Sequence, residues 1–295
     1  MNYCEKYGYM PDRDNMDRAL NIIASNLENI SSEQVYKDCF SMMDLTTLKT
    51  DDTPKSVIKL VEKVNSFQQL RPDWPLPASI CVFSNFAATV KEARRADFNI
   101  TVVSACFPSS QSFLEVKMKE CELAVEQGAD EVDIVLALSY FLVDKKDEAF
   151  DEIQQIRKCI DVAAAKQGRK VHLKVILETG LLRTPELIAE ASFLAMEAGA
   201  DFIKTSTGKV DVNATPVAAY VMCECILRFY ERTGKKIGFK PAGGISSAAD
   251  ALCYYSIVSS VLGKKWLNRS LFRFGVSRVA NSIISAVEQK TVTYF

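Results

Sequence analysis

Eight short apolar, β-favouring runs recur along the chain, each separated from the next by a longer stretch with helical periodicity. The runs are "FSMMDL" (40–45), "SICVFS" (79–84), "ITVVSAC" (100–106), "EVDIVLA" (131–137), "HLKVILE" (172–178), "FIKTS" (202–206), "IGFKP" (237–241) and "LFRFG" (271–275). Strands alternating with helices pair in parallel, because each helical crossover brings the chain back in the same direction. Eight such units argue for an α/β protein of the closed (β/α)8 TIM-barrel type. A doubly wound open sheet is the alternative, but no G-x-G-x-x-G follows any early strand. Residues 1–35, with "MDRALNIIASNLENI", read as an extra N-terminal helix, 36–290 as the barrel and 291–295 as a C-terminal tail. Among the intervening helices, "SFLEVKMKECELAVEQG" carries an apolar stripe of Phe113, Leu114, Val116, Met118, Cys121, Leu123, Ala124 and Val125, with Gly128 as its stop. "DEAFDEIQQIRKCIDVAAAKQG" stops likewise at Gly168.

Bulk properties narrow the function classes. A net charge of -1 over 295 residues offers no electrostatic footprint for nucleic acid or an anionic membrane. An anionic ligand would have to be held by local groups. No apolar run approaches the roughly 20 residues needed to span a bilayer, and the first residues lack a signal-peptide core. The nine scattered cysteines read as reduced thiols packed as small hydrophobes, which implies a cytoplasmic protein. The single histidine, His172, excludes His-rich metal sites, and any Ser-His or Cys-His catalysis would depend on it alone. Placed at the start of its strand, it reads as a hydrogen-bonded residue of the barrel interior.

Ionisable residues interrupt several strands: Asp133, Lys174 with Glu178 on the same parity, Lys204 and Lys240. Each alone could be a strand-end charge reaching solvent or a satisfied interior ion pair. Four strands doing so together point to a site at the C-terminal mouth of the barrel. Two lysines beside one carboxylate suggest amine chemistry. A desolvated lysine next to another cation has its charged form disfavoured, and its pKa falls from roughly 10.4 toward neutrality. Lys204, so deprotonated by burial and Lys240, could form a Schiff base with a carbonyl, with Asp133 moving protons. The late loops "TGK" (207–209), "AGGI" (242–245) and "FGVS" (274–277) place glycines where backbone N–H groups can approach an anion, and with Lys209 they favour a sugar phosphate.

At these residues the sequence resembles a known family. "DFIKTSTGK", "GFKPAGGI", "GADEVDIV" and "LKVILETG" are similar to the motifs of deoxyribose-phosphate aldolase, over about residues 40–290. "DLTTLKTDDT" (44–53) suggests the eukaryotic branch, since bacterial members usually carry histidine in place of Leu45. The resemblance implies a class I lyase that cleaves 2-deoxy-D-ribose 5-phosphate reversibly to D-glyceraldehyde 3-phosphate and acetaldehyde, in deoxynucleoside catabolism. It implies Lys204 as the Schiff-base lysine, Lys240 as the lysine that lowers its pKa, and Asp133 as the proton relay. Lys174 and Cys81 match residues of the same pocket. Thr207, Gly208, Lys209, Gly243, Gly244, Gly275 and Ser277 match the phosphate region. No metal or organic cofactor is implied.

Departures stand beside these matches. Ser246 occupies a position where many members carry Arg, and Arg278 one where many carry Ser. Arg278 either substitutes for the missing phosphate-side charge or faces outward. Leu181 replaces a usual Glu, and Ala137 a common Asn, changing the fine shape of the pocket. The tail "KTVTYF" ends in a Tyr294 that either frays or, as in some bacterial members, visits the site. A different class I aldolase on the same barrel, or a weakly catalytic barrel serving as a protein- or sugar-phosphate-binding scaffold, are the competing readings. Apolar residues on outer helix faces could make a homodimer.

Overall fold

The computed structural model describes residues 2–295. Its strands are β1 (Met43–Thr46), β2 (Ser79–Phe83), β3 (Asn99–Val103), β4 (Glu131–Val135), β5 (His172–Ile176), β6 (Phe202–Lys204), β7 (Gly238–Lys240) and β8 (Phe274–Val276). All pair in parallel, in the order β7-β6-β5-β4-β3-β2-β1-β8. Backbone bonds draw the last seam together: Phe239 N–H donates to the Leu271 carbonyl at 2.9 Å, and Arg273 N–H to the Phe239 carbonyl at 3.0 Å. The open-sheet alternative is thereby excluded, and the (β/α)8 barrel stands. The first and last strands start later than their apolar runs, because Phe40 and Ser41 complete the helix Glu33–Ser41 and Leu271 lies in a turn bonded to Asn268.

The two faces of the sheet have opposite chemistry. Ile80, Val82, Ile100, Val102, Val132, Ile134, Leu173, Val175, Ile203 and Phe239 point outward and are buried under the helix ring. Register places Asp44, Ser79, Thr101, Glu131, Asp133, Lys174, Lys204 and Lys240 on the inner face. The principal hydrophobic layer is therefore between sheet and helices, and the barrel axis is ionic.

Helix Leu114–Glu126 differs from its expected stripe. Phe113, Val116 and Leu123 are exposed, while Lys117, Cys121, Ala124 and Val125 face inward. The i, i+4, i+7, i+8 face of Lys117 is the buried one. It tolerates a lysine because Lys117 Nζ donates to Glu152 Oε1 at 2.7 Å and to Ser110 Oγ at 2.9 Å.

The N-terminal region is four helices, not one: Tyr3–Tyr7, Arg13–Ser25, Leu27–Ile30 and Glu33–Ser41. Gly8, in the left-handed region, ends the first, and the side chains of Asp12 and Ser32 cap the second and fourth. The fourth helix runs through the expected boundary at residue 35. The first lies against helix Pro185–Glu197, where the Glu190 carboxylate accepts from the N–H groups of Tyr3 and Cys4 at 3.1 and 2.6 Å. Tyr7 stacks on Phe193 with ring centroids 4.4 Å apart. This cover explains why Pro185–Glu197 is apolar nearly all round. No helix among the described residues is long and apolar enough to cross a membrane.

The C-terminal tail neither frays nor enters the barrel. Tyr294 Oη donates to the Lys63 carbonyl at 2.7 Å, and Asn281 Oδ1 accepts from Tyr294 N–H and Phe295 N–H at 2.9 Å each. Both rings pack on Phe67, and Arg71 lies over Tyr294. Deleting Tyr294 and Phe295 is expected to lower stability by about 1–3 kcal/mol in urea unfolding, through lost aromatic burial.

Candidate active site

Seven ionisable side chains meet on the barrel axis: Asp44, Glu131, Asp133, Lys174, Lys204, Lys240 and Arg273. Asp133 is the hub. Its Oδ2 accepts from Lys204 Nζ and Lys240 Nζ at 2.9 Å each, and its Oδ1 accepts from Lys174 Nζ at 2.9 Å. Lys240 also pairs with Asp44. Below them, Arg273 Nη1 donates to Asp44 Oδ1 at 2.6 Å and its Nη2 to Glu131 Oε1 at 2.6 Å. Lys174 completes the floor, 2.5 Å from Glu131 Oε2.

Charge balance decides which base can be neutral. Four bases face three acids, so the formal charges cancel when one base gives up its proton. Buried charge without compensation is strongly penalised, which favours that balanced state. Burial pushes Lys204 down; Asp133 opposes this, Lys240 adds to it, and the amine ends below the ordinary lysine range. Burial would also push Lys240 and Lys174 down. Asp133 and Asp44 outweigh it at Lys240, Asp133 and Glu131 outweigh it at Lys174, and both amines rise. Burial alone would raise Asp133, but Lys174, Lys204 and Lys240 hold it well below the usual carboxylate range. Lys204 is also the base that reaches outward: it keeps 4% exposure where Lys240 and Lys174 have none.

Local structure supports this placement. Lys204 and Lys240 are the last residues of adjacent strands and stand side by side in register. Gly275 gives Lys240 its room, since a Cβ there would lie 3.1 Å from Lys240 Cε and 2.7 Å from Ala242 Cβ. The Thr205 hydroxyl accepts from Ala242 N–H at 2.9 Å, tying the β6 end to the "AGGI" loop.

A cavity of about 340 Å3 opens above Lys204. Thr207, Gly208, Lys209, Gly243, Gly244, Gly275, Ser277 and Arg278 all line it, with Lys49 and Ser246. Gly243 and Gly244 have φ of +77° and +75°, a left-handed pair that turns the chain where side chains would strain. Arg278, two residues past the end of β8, is exposed at the rim of this cavity.

Two expected pocket residues do not line it. Lys174 lies a layer below, its amine held by Asp133 and Glu131, and Cys81 is enclosed with Leu48 and Val103. Burial pushes the Cys81 thiol up, so it stays neutral. Glu178 follows the end of β5 and faces Thr207, whose N–H and hydroxyl it accepts at 3.2 and 2.5 Å. His172 is exposed at the opposite end of the barrel, contrary to the interior role expected of it, because β5 starts there and its first side chain projects past the sheet. Sequence reasoning missed Asp44, Glu131 and Arg273. The same signal could have found them: each breaks an apolar strand run, and Glu131 shares the parity of Asp133.

The residues 39–253 match the model of the DeoC/LacD family aldolases. The chain belongs to this family, and is thus an aldehyde-lyase on a TIM barrel. It is 41% identical to the deoxyribose-phosphate aldolase of Homo sapiens over 254 residues, 82% of this chain and 77% of that one. With the enzyme of the same name from Mus musculus it shares 39% identity, over 85% of this chain and 78% of the other. In fold it is similar to the tetrameric deoxyribose phosphate aldolase of Aeropyrum pernix, with TM-score 0.65 and 22% identity over 95% of this chain and 98% of that one.

Replacing Arg273 with Leu strands Asp44 and Glu131 without their cation. The variant is expected to lose about 3–5 kcal/mol in chemical unfolding, as for other broken buried pairs.

Proposed function

We propose that this lyase cleaves 2-deoxy-D-ribose 5-phosphate reversibly to D-glyceraldehyde 3-phosphate and acetaldehyde, in cytoplasmic deoxynucleoside catabolism. The observation that carries the reading is the buried amine of Lys204, pushed down beside bases that are pushed up. The glycine-lined cavity above it, edged by Lys49, Lys209 and Arg278, suits a phosphate on the substrate's far end. The names of the curated relatives support the same substrate.

The chemistry follows from these roles. Lys204 Nζ attacks the aldehyde carbon of the open-chain sugar, and loss of water leaves an iminium. The C2–C3 bond breaks, its electron pair passes into the iminium, and the C3 hydroxyl gives up its proton. Glyceraldehyde 3-phosphate departs and an enamine remains on Lys204. Protonation of its carbon and hydrolysis release acetaldehyde and restore the amine. Lys240 keeps its proton against burial, so it is the donor. Asp133 stays anionic and, bonded to both lysines through one oxygen, conducts protons between them. Electrons balance without an external oxidant or reductant.

Borohydride reduction after incubation with acetaldehyde should leave an ethyl group on Lys204, lost in Lys204→Ala; a folded protein that forms no adduct refutes the mechanism. Lys240→Met removes a neighbouring cation, so the charged form of Lys204 is less disfavoured and its pKa rises. The acidic limb of kcat/KM should therefore move to higher pH. Arg278→Ala should raise KM for the phosphorylated sugar about tenfold if the guanidinium holds phosphate; an unchanged KM would mean that it does not hold phosphate.

A further inference from the structure

Residues 205–215 run from the end of β6 to helix Pro216–Thr233 with no helix or strand of their own, yet three of them, Thr207, Gly208 and Lys209, wall the glycine-lined cavity. A loop of this length needs outside support to hold one conformation. It is gripped from both sides. Toward β7, Asn213 lies against Gly243, where a Cβ would come within 2.6 Å of Asn213 Oδ1. Toward β5, three consecutive residues meet it. Thr179 N–H donates to the Thr205 carbonyl at 2.9 Å, Gly180 lies so close to Val212 that a Cβ would clash with its carbonyl, and Glu178 binds Thr207.

Glu178 is held there against two costs. Its backbone is left-handed, with φ +56° and ψ +57°, a region that residues with a Cβ seldom adopt. Its carboxyl is buried, and burial pushes it above the usual carboxylate range; the two Thr207 bonds and the Lys204 charge oppose this without overcoming it. What the carboxylate secures is Thr207. One oxygen accepts from Thr207 N–H and the other from its hydroxyl. That hydroxyl, its proton turned to Glu178, accepts in turn from Lys209 N–H at 3.0 Å. The Lys209 amine then spans to the loop after β1, where the Leu48 carbonyl accepts it at 2.6 Å. The chain of bonds runs from Glu178 through Thr207 to Lys209, and Glu178 itself does not line the cavity.

We infer that Glu178 is a positioning residue for the phosphorylated end of the substrate: through Thr207 it fixes the segment Thr207–Lys209 at the wall of the phosphate cavity. The inference rests on the aldolase reading above. A segment set in advance loses no freedom when the phosphate arrives, so its fixation acts on binding. Lys204, Lys240 and Asp133 bond to one another and not to Glu178, so the chemistry at the amine is independent of it. Loss of the Glu178 bonds therefore separates KM from kcat.

The test measures cleavage of deoxyribose 5-phosphate, and the rate of borohydride trapping of acetaldehyde on Lys204, in the native enzyme, Glu178→Asp, Glu178→Gln, Thr207→Val and the double variant Glu178→Asp with Thr207→Val. Aspartate keeps the charge and tolerates the left-handed backbone, but is one methylene too short to reach Thr207. Glu178→Asp should raise KM about tenfold while kcat and the trapping rate, which involves no phosphate, stay within about twofold. Glutamine can accept from Thr207 N–H and donate to its hydroxyl, so Glu178→Gln should recover most of the native KM. The double variant should be no worse than the weaker single one, because both break the same link. An unchanged KM in Glu178→Asp, a glutamine no better than aspartate, single effects that multiply, or trapping slowed along with cleavage overturns the positioning role and leaves the aldolase reading intact. Native enzyme that neither cleaves the sugar phosphate nor traps acetaldehyde on Lys204 overturns both.

Discussion

Asp133 carries three lysine amines on two oxygens inside a barrel from which water is largely excluded. An isolated carboxylate there would cost several kcal/mol, and so would each ammonium. The cluster survives because every member is partnered. Asp44 and Glu131 share Arg273, Lys174 joins Glu131 to Asp133, and Lys240 joins Asp133 to Asp44. Such a network has little freedom to be otherwise. Removing one partner leaves a buried charge, so the rest of the axis depends on each contact holding.

The arrangement that stabilises the interior also prepares the chemistry. Three acids cannot neutralise four bases, and the base with the fewest carboxylate contacts is the one nearest solvent. Lys204 touches one carboxylate, Lys240 two and Lys174 three. The amine most easily deprotonated is thus set by these contacts, before any ligand arrives. An eight-stranded barrel makes this feasible, because its interior is just wide enough for long side chains from several strands to meet.

Around this axis the loops divide the work. Glycines after β6, β7 and β8 bring backbone close to the cavity on one side, and apolar side chains after β3, β4 and β5 wall the other. Lys209 lies between them, so a single side chain sets a polar and an apolar half of one mouth. Farther out, the N-terminal helices and the docked tail cover apolar helix faces and take no part in the site. They act on stability, through burial of rings such as Tyr7, Phe193 and Phe295.

Much was legible in the linear chain. The alternation of runs determined eight strands and a parallel barrel, because period and crossover length leave few other solutions. Lys204, Lys240 and Asp133 announced themselves by breaking apolar strands, and the glycine loops by their position after late strands. What parity alone could not decide was depth. Lys174 lies on the same strand face as the site yet one layer below it, and only packing shows that Glu131 and Arg273 hold it there. His172 begins a strand, but the end of the sheet lies at that residue, so it meets solvent. The stripe of helix Leu114–Glu126 turned because Glu152, on another helix, makes burial of Lys117 tolerable. Residue types and their spacing settle which chemistry is available. Which amine loses its proton most readily, which carboxylate it faces and which wall stands beside it depend on contacts between residues from about forty to more than two hundred positions apart, and those exist only once the barrel closes.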